Sequence, residues 1–374
     1  MALVVLVGRR RKAFQAARAL GLDVIRISSR LSFEQACAKI ETARRGRKLK
    51  AVLATTESAQ WTAARLRTRF RVRGLTDKTV LPFHDKRAMK RKARQLGIPT
   101  AAFQIFDRRS PRHSRKRIAT RLARRWGFPM VVKSPRLSGS REQIIAHDLR
   151  TLHRALDRNR HPDRIVEAWL HGTEMSCELV LQRGRVIFEN LTAYIAHHAI
   201  NLMPAPLPKP VAVLTKAFAR NVARGFGVRD GIIHLELFWT ARGPFLGELT
   251  QRPPGGYLMD LIRYCYRVDA WKLWICSELG IPMPRKLPKA RGSALAWIIH
   301  PGAGRIRSVT GVSQIRKHPA LRSWKSQPTR NFTIGLRKGS GEEWGHALFS
   351  AHDRRALVTD VLKLRAGLKF TLSP

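Results

Sequence analysis

The sequence predicts a mixed α/β and α+β fold, in which a parallel-sheet α/β domain at the N-terminus precedes a larger α+β region. The chain has 374 residues, of which 44% are hydrophobic, and this is enough for two or three separate cores. From residue 1 to about residue 84, apolar strand-like runs alternate with helix-like segments. Farther along, two segments with the strand period flank a turn at residues 240–244, which is the pattern of a β-hairpin.

The first 84 residues carry the parallel-sheet prediction. Residues 4–7 and 51–54 have the continuous apolar composition of buried strands, and residues 14–20 and 33–43 have the pattern of helices. The first strand leads into a Gly-Arg-Arg-Arg turn at residues 8–11, which lacks the Gly-x-Gly-x-x-Gly spacing of a dinucleotide loop. We therefore assign no dinucleotide to this domain.

The remaining elements follow from periodicity and from helix-breaking residues. Residues 85–96 predict a basic helix that stops at Gly97 and Pro99. Residues 107–125 are rich in arginine and form either a helix with a solvated face or a surface for a partner. Also predicted are strands at residues 130–133, 164–169, 174–181, 294–299 and 331–336, and helices at residues 211–225 and 258–279.

The hairpin brings two acidic residues together. If Trp239 faces Phe245 across the turn, then Glu236 lies directly opposite Glu248 on the neighbouring strand. Directly opposed side chains in a sheet lie about 5 Å apart, and two like charges at that distance repel each other. A sheet does not keep such a pair without a compensating interaction.

A divalent cation would provide that compensation, since Mg²⁺ prefers oxygen ligands. The competing interpretation is two solvated glutamates on an outer strand face. The other face of the first hairpin strand is already apolar, and this favours the cation. The apolar face comprises Ile233, Leu235, Leu237 and Trp239, and the glutamate face also carries His234, Thr250 and Arg252.

The formal net charge is +47, from 72 Lys and Arg against 25 Asp and Glu. Such a surface attracts polyanions at low salt whatever its biological role, so a polyanion or an acidic partner is predicted for residues 1–125. No aromatic pattern typical of RNA readers interleaves the basic runs, so base-specific recognition is not predicted. The basic runs lie at residues 9–12, 44–50, 65–73, 86–94 and 108–125.

The cysteines and the apolar runs suggest the compartment. Cys37, Cys177, Cys265 and Cys276 are widely spaced, so neither a zinc site nor a disulfide framework is predicted. The apolar run at residues 2–7 precedes its arginines, unlike a signal peptide, and no run approaches the length of a membrane span. We expect a cytoplasmic protein that does not enter a membrane.

Two further motifs carry chemistry. Lys133 ends an apolar strand just before a Ser/Gly loop at residues 134–140, where a lysine can reach a phosphate; a snorkelling lysine is the alternative. Residues 167–170 and the tight turn at Gly172 offer an extended backbone that could pair with a base edge. Glu174, just after the turn, could accept hydrogen bonds from ribose hydroxyls.

Taken in order, these motifs resemble the ATP-grasp superfamily, specifically its carboxylate–amine ligases of the amino-acid ligase type. The resemblance covers about residues 85–285 and extends more loosely through the C-terminal segment. The motifs that carry it are Asp85-Lys86 with Lys90, Gly97-Ile98-Pro99-Thr100, residues 128–133, Ser138-Gly139-Ser140, residues 167–178, His234-Leu235-Glu236 and residues 247–256.

The resemblance implies a nucleotide held between two α+β lobes, with ATP and Mg²⁺ as the required small molecules. It implies ATP contacts from Lys90, Lys133, Ser138, Gly139, Ser140 and Glu174, with Lys86 as a possible aid, and adenine recognition by the backbone of Glu167, Ala168, Trp169 and Leu170. It implies metal ligation by Glu236, Glu248 and Thr250, catalysis by Lys133 and Arg252, and substrate contacts from His234, Arg252, Gly255 and Gly256.

Two positions depart from the superfamily pattern. Thr250 stands where the superfamily usually has Asn, and a hydroxyl is a poorer neutral metal ligand than an amide carbonyl. The number of metal ions is therefore open. The loop at residues 138–140 has less glycine, and more flanking arginine, than the superfamily usually shows.

The resemblance also implies an organisation and a reaction. The expected units are residues 1–84, 85–289 and 290–374, with a small lid lobe at about residues 120–185. A carboxylate, such as that of an amino acid or short peptide, would take the γ-phosphate of ATP. An amine would then attack the acylphosphate, and ADP and phosphate would be released. The resemblance to the family also implies a homodimer. Two alternatives stay open: an acidic peptide, protein or RNA-linked acceptor, and a nucleotide-binding regulatory protein without turnover.

Overall fold

The structure is a computed structural model that describes residues 2–107, 109–136, 143–157, 163–196, 199–285, 287–337 and 342–373. Across these residues the strands form four sheets, one parallel and three antiparallel, with helices packed on their faces. The predicted mixture of a parallel α/β unit and α+β units is confirmed. The expected phosphate loop, Ser138-Gly139-Ser140, lies outside the described residues.

The N-terminal sheet is parallel, as predicted. Its elements are β1 (Leu3–Val7), α1 (Arg11–Ala19), β2 (Asp23–Ile27), α2 (Phe33–Arg44), β3 (Leu49–Ala54) and α3 (Gln60–Phe70). The strand order is β2-β1-β3, and the central strand β1 is buried along its whole length. Helix α2 begins at a capping box, in which Ser32 and Gln35 each accept a hydrogen bond from the other's backbone N–H.

A four-stranded antiparallel sheet follows. Its elements are β4 (Phe103–Asp107), α5 (Arg112–Trp126), β5 (Met130–Lys133), β6 (Ile144–Ala146), α6 (Leu149–Asp157) and β7 (Asp163–Ala168). The strand order is β4-β7-β5-β6, and both helices pack against it. Strand β4 joins the edge of this sheet, whereas the strand after Ala168 pairs into the next sheet. The lid lobe expected at about residues 120–185 stays a prediction.

The largest sheet has eight antiparallel strands and supports the candidate site. Its strands are β8 (Gly172–Gln182), β9 (Arg185–Ile195), β10 (Ile200–Met203), β11 (Gly231–Thr240), β12 (Gly243–Thr250), β13 (Ser293–Ile299), β15 (Leu321–Ser326) and β17 (Gly345–Ala351). The strand order is β12-β11-β8-β9-β10-β13-β17-β15. Packed around it are α4 (Lys86–Gln95), α7 (Lys209–Gly225), α8 (Leu258–Tyr266), α9 (Ala270–Leu279), α10 (Val312–Lys317) and α11 (Arg354–Gly367). A small sheet, β16-β14-β18, comprises β14 (Gly304–Thr310), β16 (Phe332–Ile334) and β18 (Lys369–Ser373).

The two faces of the large sheet differ in what covers them. On one face Ile233, Leu235 and Leu237 are fully buried against helices α4 and α7, as the apolar pattern predicted. Burying such a side chain stabilises the fold by about 1.5–3 kcal/mol, and a one-residue slip of β11 would forfeit all three. The apolar face therefore fixes which way the acidic side chains of β11 point.

Residues 258–279, expected as one helix, form two. Helix α8 ends at Tyr266 and is capped by Arg267, which adopts the left-handed conformation at φ 59°, and α9 begins at Ala270 after its N-cap Asp269. The Asp269 carboxylate accepts hydrogen bonds from the backbone N–H groups of Trp271 and Lys272, at 3.0 and 3.1 Å. The prediction of a single helix was wrong because the apolar periodicity continues across a break that this cap creates.

The part of the chain that the structure describes contains no helix that is both long and apolar enough to cross a membrane. The four cysteines are free thiols, and Cys177 and Cys265 are buried. Burial raises the pKa of the Cys177 thiol well above its usual range and raises that of Cys265 to about 12. Neither thiol is therefore activated as a nucleophile.

We predict that Asp269→Ala lowers the free energy of unfolding by about 1 kcal/mol, because two N–H groups at the start of α9 lose their acceptor. Urea denaturation followed by circular dichroism measures this loss. Asp269→Asn retains an acceptor and should keep most of the stability. Equal losses in the two variants would show that the charge of Asp269, and not its capping bonds, stabilises the helix.

Candidate active site

The β11–β12 hairpin places Glu236 directly opposite Glu248, as predicted. The premise that led to this pairing was wrong, because Trp239 faces Pro244 and Phe245 faces Phe238. The turn is tighter than expected, since only residues 241 and 242 separate the two strands. The register then shifts by one residue between Glu236 and the next strand pair.

Gly247 is the residue that produces this shift. It is the extra residue in β12, between the pairs Leu237–Leu246 and Glu236–Glu248. A side chain there would be crowded, because an added Cβ would lie 3.2 Å from the Glu236 carbonyl oxygen. The bulge adds one residue to β12 and so offsets the one-residue error in the predicted turn, which leaves Glu236 opposite Glu248.

Each of the two glutamates has a cationic partner within the protein. The Lys86 Nζ atom lies 3.2 Å from Oε1 of Glu248, and Nε2 of His234 lies 3.3 Å from Oε1 of Glu236. Side-chain exposure is 22% for Glu248 and 31% for Glu236, so neither carboxylate is fully solvated. The interpretation of two solvated glutamates therefore fails. The protein's own cations account for the close carboxylates, and the pairing alone does not require a metal ion.

The local charges leave Glu248 less acidic than an ordinary glutamate. Burial raises its pKa, the Lys86 ammonium opposes this, and the negative charges of Glu236 and Glu57 raise it again. An additional cation beside Glu248 would favour its ionised form.

His234 bridges the edge of the site and the core of the sheet. Its Nδ1 atom lies 3.0 Å from Oε1 of Glu178, and its Nε2 atom faces Glu236. Glu178 is fully buried and was not singled out from the sequence. The imidazole thus lies between two carboxylates on neighbouring strands β8 and β11.

Buried polar side chains satisfy the carboxylate of Glu178. Ser176 and Thr192 each donate a hydroxyl hydrogen bond at 2.7 Å, and the amide of Asn190 donates at 3.2 Å. The Tyr266 hydroxyl in turn donates to the side-chain oxygen Oδ1 of Asn190 at 2.7 Å. These donors satisfy the oxygens of the buried carboxylate and fix its position in the sheet.

The protonation of His234 follows from this arrangement. Burial by itself would lower the pKa of the imidazole. Hydrogen bonds to Glu178 and Glu236, together with their charges, outweigh burial and raise the pKa to about 9. His234 is therefore a cation at neutral pH and donates to both carboxylates.

A second charged cluster joins the four-stranded sheet to helix α4. Oε1 of Glu167 lies 2.8 Å from the Lys133 ammonium, and Oε2 lies 3.1 Å from the Lys90 ammonium. Burial lowers the pKa of Lys90 to about 8, although Glu167 opposes this. For Lys133 burial also acts to lower the pKa, but the charges of Glu167 and of the hairpin glutamates raise it overall. The sequence reasoning used only the backbone of Glu167 and missed its side chain.

Helix α4 positions Lys86 and Lys90. Its first residue follows Asp85, whose carboxylate accepts from the backbone N–H of Arg87 at 2.9 Å. The guanidinium groups of Arg87 and Arg136 also bind Asp85, and they hold its pKa at about 2 despite burial. Because Lys86 and Lys90 are one helical turn apart, they share a face of α4 and reach the two clusters.

Arg252, at the end of the hairpin, is joined to the N-terminal sheet. Its Nε atom lies 2.5 Å from Oε2 of Glu57, just before helix α3. Burial acts to raise the pKa of Glu57, but Arg252 and a hydrogen bond with His84 lower it to about 2. Sequence reasoning missed Glu57 because nothing in its local pattern distinguishes it from a surface glutamate.

The other expected ligands occupy positions around these clusters. Thr250 is buried opposite His234, and its hydroxyl donates to the His234 carbonyl at 3.5 Å. Gly256 adopts φ +59°, and its carbonyl accepts from the Asn201 amide at 2.8 Å, so a Cβ there would clash with Asn201. The N–H of Ala168 donates to the Ala102 carbonyl, and Trp169 and Leu170 follow it in the chain. Glu174, on β8, lies opposite Phe238 of β11. The Gly255 carbonyl accepts from the backbone N–H of Leu258.

The donor set can serve Mg²⁺ only in part. Among the described residues, no three or more His, Cys, Asp or Glu side chains gather as a complete metal cage. Glu236 and Glu248 therefore offer two carboxylates and little else. Mg²⁺ commonly uses one or two protein carboxylates and fills its shell with water and substrate phosphates, so this set fits that mode.

Known proteins resemble this chain in sequence. The family model described as the D-ala D-ala ligase C-terminus matches residues 93–200. The L-arginine-specific L-amino acid ligase of Bacillus subtilis is 25% identical over 258 residues, which cover 63% of this chain and 58% of that protein. Carnosine synthase 1 of Homo sapiens is 31% identical over 135 residues, which cover 33% of this chain and 16% of that protein. The matched region thus spans 58% or less of these two relatives.

Solved structures resemble the whole chain. The L-amino acid ligase of Bacillus licheniformis superposes with a TM-score of 0.83 at 16% identity, covering 100% of this chain and 99% of that one. A carboxyaminoimidazole ribonucleotide synthase of Aspergillus clavatus, solved with ATP, superposes with a TM-score of 0.76 at 16% identity, covering 98% and 97%. Together with the sequence matches, these findings confirm the resemblance to ATP-grasp carboxylate–amine ligases and the fold that it implies.

We predict that His234 stabilises the metal-free protein in a pH-dependent manner. Its folded pKa of about 9 exceeds the ordinary value of 6.5, so its contribution is complete below pH 6.5 and is lost as the pH rises through 9. The full effect is at most roughly 3 kcal/mol. Urea unfolding in a chelator should show the stability gap between wild type and His234→Gln shrinking across this range. A gap that does not change with pH would contradict the charged state.

Proposed function

We propose that this chain, which has the ATP-grasp fold, is an ADP-forming carboxylate–amine ligase that uses Mg²⁺-ATP. It joins a small carboxylate to an amine, as in the linkage of amino acids, and releases ADP and phosphate. The relatives whose names describe them as ligases support this class of reaction.

The observation that carries the proposal is a group of oppositely charged side chains that pair with one another across neighbouring elements. Five carboxylates, from Glu57, Glu167, Glu178, Glu236 and Glu248, are paired with five cations, from Lys86, Lys90, Lys133, His234 and Arg252. The charges of Glu236 and Glu248 act on Lys133, which places the hairpin and the Lys133 cluster in one electrostatic unit. Such preorganised charges are what phosphoryl transfer requires.

The nucleotide would lie between the four-stranded sheet and the large sheet. Lys133 and Lys90 would contact its phosphates, and Glu167, which already pairs with both, would hold the two ammonium groups in place. The chain at residues 168–170 connects the two sheets and would line the adenine. Glu174 is the proposed ribose contact. Residues 138–140 remain the expected flap over the phosphates.

Glu236 and Glu248 would hold Mg²⁺, with Thr250 as the third expected ligand. When bound, the ion would neutralise charge on the phosphate oxygens. The raised pKa of Glu248 fits this role, because the site favours a further positive charge beside it. His234 and Glu178 would keep Glu236 oriented toward the cleft.

The pair formed by Arg252 and Glu57 indicates the substrate. A guanidinium and a carboxylate in contact are the charge complement of a zwitterion, whose carboxylate would bind Arg252 and whose ammonium would bind Glu57. An α-amino acid carries both groups on one carbon. Gly255 and Gly256 would bring backbone groups close to this substrate.

The reaction would proceed in two transfers. The substrate carboxylate attacks the γ-phosphorus of ATP, the bond to the bridging oxygen breaks, and ADP leaves. The amine then attacks the acylphosphate carbonyl and phosphate leaves. Lys133 and Arg252 neutralise charge on the transferring group, and the protein contributes chiefly positioning.

Several expectations remain predictions beside this proposal. These are the domain boundaries, the homodimer, the cytoplasmic location, the polyanion partner for residues 1–125, and the two alternative functions. Phosphate release measured with a panel of amino acids separates the alternatives. Release stimulated by any carboxylate–amine pair excludes a regulatory protein without turnover.

We predict that Glu248→Ala lowers amine-dependent ADP release about 10²–10³-fold, because one preorganised contact to the phosphoryl group is lost. Glu248→Gln, which keeps the shape of the side chain and a contact for Lys86, should lose nearly as much. Glu41→Ala removes a carboxylate that is 42% exposed on α2 and should retain full activity. Retention of more than about a tenth of wild-type turnover by a folded Glu248 variant would rule out the metal-ligand role.

We predict that Glu57→Gln raises the KM for the amino acid at least tenfold, since a hydrogen bond between charged groups contributes about 1.5–3 kcal/mol. Steady-state phosphate release gives this value, with the KM for ATP as the internal control. Equal changes in both KM values would mean that Glu57 supports the whole site and does not select the substrate.

A further inference from the structure

A cleft lies away from the charged clusters described above. It has a volume of about 1110 Å³ and opens between helix α7, the β8–β9 hairpin and the segment before β13. Apolar side chains line part of it, among them Val186, Phe188 and Leu287. Six basic residues and one acidic residue, Glu189, line it. The basic residues are Lys216, Arg220, Arg224, Arg229, Arg285 and Lys289.

Only some of the basic residues in this cleft are paired with a carboxylate. Lys216, Arg220 and Arg224 form one row along α7, four residues apart. Both nitrogens of the Arg220 fork bind Glu189, at 2.7 and 2.5 Å, and Lys216 lies 3.5 Å from the same carboxylate. Within the described chain, the other four cations form no ion pair with a carboxylate, and all four side chains are exposed.

The cleft also exposes the edge of a strand. Strand β10 pairs with β9 only at residues 193–195, and the Leu191 carbonyl accepts from Ala205. For residues 185–190, the part of the chain that the structure describes provides backbone partners only from β8. An unpaired strand edge is a template for an additional strand.

Glu189 shows which side chains such a strand would need. It lies on this open edge, and its carboxylate reaches the cation row of α7. A strand paired to β9 would point alternate side chains to the same face. Acidic residues at those positions would meet the cations that have no carboxylate partner.

The aromatic residues favour a peptide over a nucleic acid. Phe188 and Tyr266 are both buried and pack edge to face, with ring centroids 4.9 Å apart. Neither offers a free ring face, whereas single-stranded nucleic acids bind by stacking bases on such faces.

We propose that this cleft binds an extended acidic segment of a partner protein, which adds a strand to the open edge of β9. The backbone of the segment would pair with residues 185–190, and its alternate carboxylates would bind Arg224 and Arg229 together with Arg285 and Lys289 on the opposite wall. The contact lies outside the proposed catalytic residues, so it would link the protein to another chain without requiring turnover.

A fluorescent peptide in which Glu alternates with Val tests the proposal by anisotropy, near physiological ionic strength to weaken non-specific attraction. We expect the double variant Arg224→Glu and Arg285→Glu to weaken binding at least about tenfold. The matched control is Arg117→Glu with Arg121→Glu, an equal charge change on exposed positions of α5, and it should change binding less than about twofold. A peptide with Pro at alternate positions cannot pair with the strand edge and should bind weakly.

Three outcomes would overturn the proposal. Equal weakening by the two double variants would show attraction to the overall positive charge and no specific cleft. Equal binding of the Pro-containing peptide would show that no strand is added. Displacement of the peptide by a single-stranded oligonucleotide at lower concentration than by unlabelled peptide would assign the cleft to nucleic acid.

Discussion

Two carboxylates cannot stay adjacent on a sheet unless positive charge lies beside them, and this constraint organises the whole site. Lys86 of helix α4 forms an ion pair with Glu248, and His234 forms one with Glu236 on the same strand. The His234 imidazolium in turn has a second carboxylate partner. That partner is Glu178, whose carboxylate is satisfied by the buried hydroxyl and amide donors of the sheet. The chain of polar contacts therefore extends from the hairpin glutamates to the core of the sheet.

The apolar layers make this arrangement possible by fixing directions. Because β11 buries one face against α4 and α7, its other face must carry the acidic and imidazole groups. Helix α4 belongs to both structures, since it packs on the apolar face and sends two lysines around to the polar clusters. Stability and proposed chemistry thus depend on the same helix.

Much of this was accessible from the sequence because strand periodicity determines which side chains share a face. The pairing of Glu236 with Glu248 was predicted correctly, although only because the bulge at Gly247 offset a misplaced turn. The break between α8 and α9 was missed, since an Asp cap interrupts a helix without interrupting its apolar pattern. Glu57 and Glu178 were missed because long-range contacts gave them their roles. No local rule marks a residue whose partner lies 195 positions away.

The bond between Glu57 and Arg252 joins the segment after β3 to the end of β12, so one ion pair holds the N-terminal sheet against the hairpin. A molecule that inserts between them must separate the N-terminal sheet from the hairpin or replace both halves of the bond at once. If a substrate binds this pair as proposed, its binding and the spacing of these two parts would be linked in both directions. On the proposed function, a ligand with a single charge would break this ion pair and leave either Glu57 or Arg252 without a partner. The free-energy cost of that largely buried, unpaired group would disfavour substrates that lack one of the two charges.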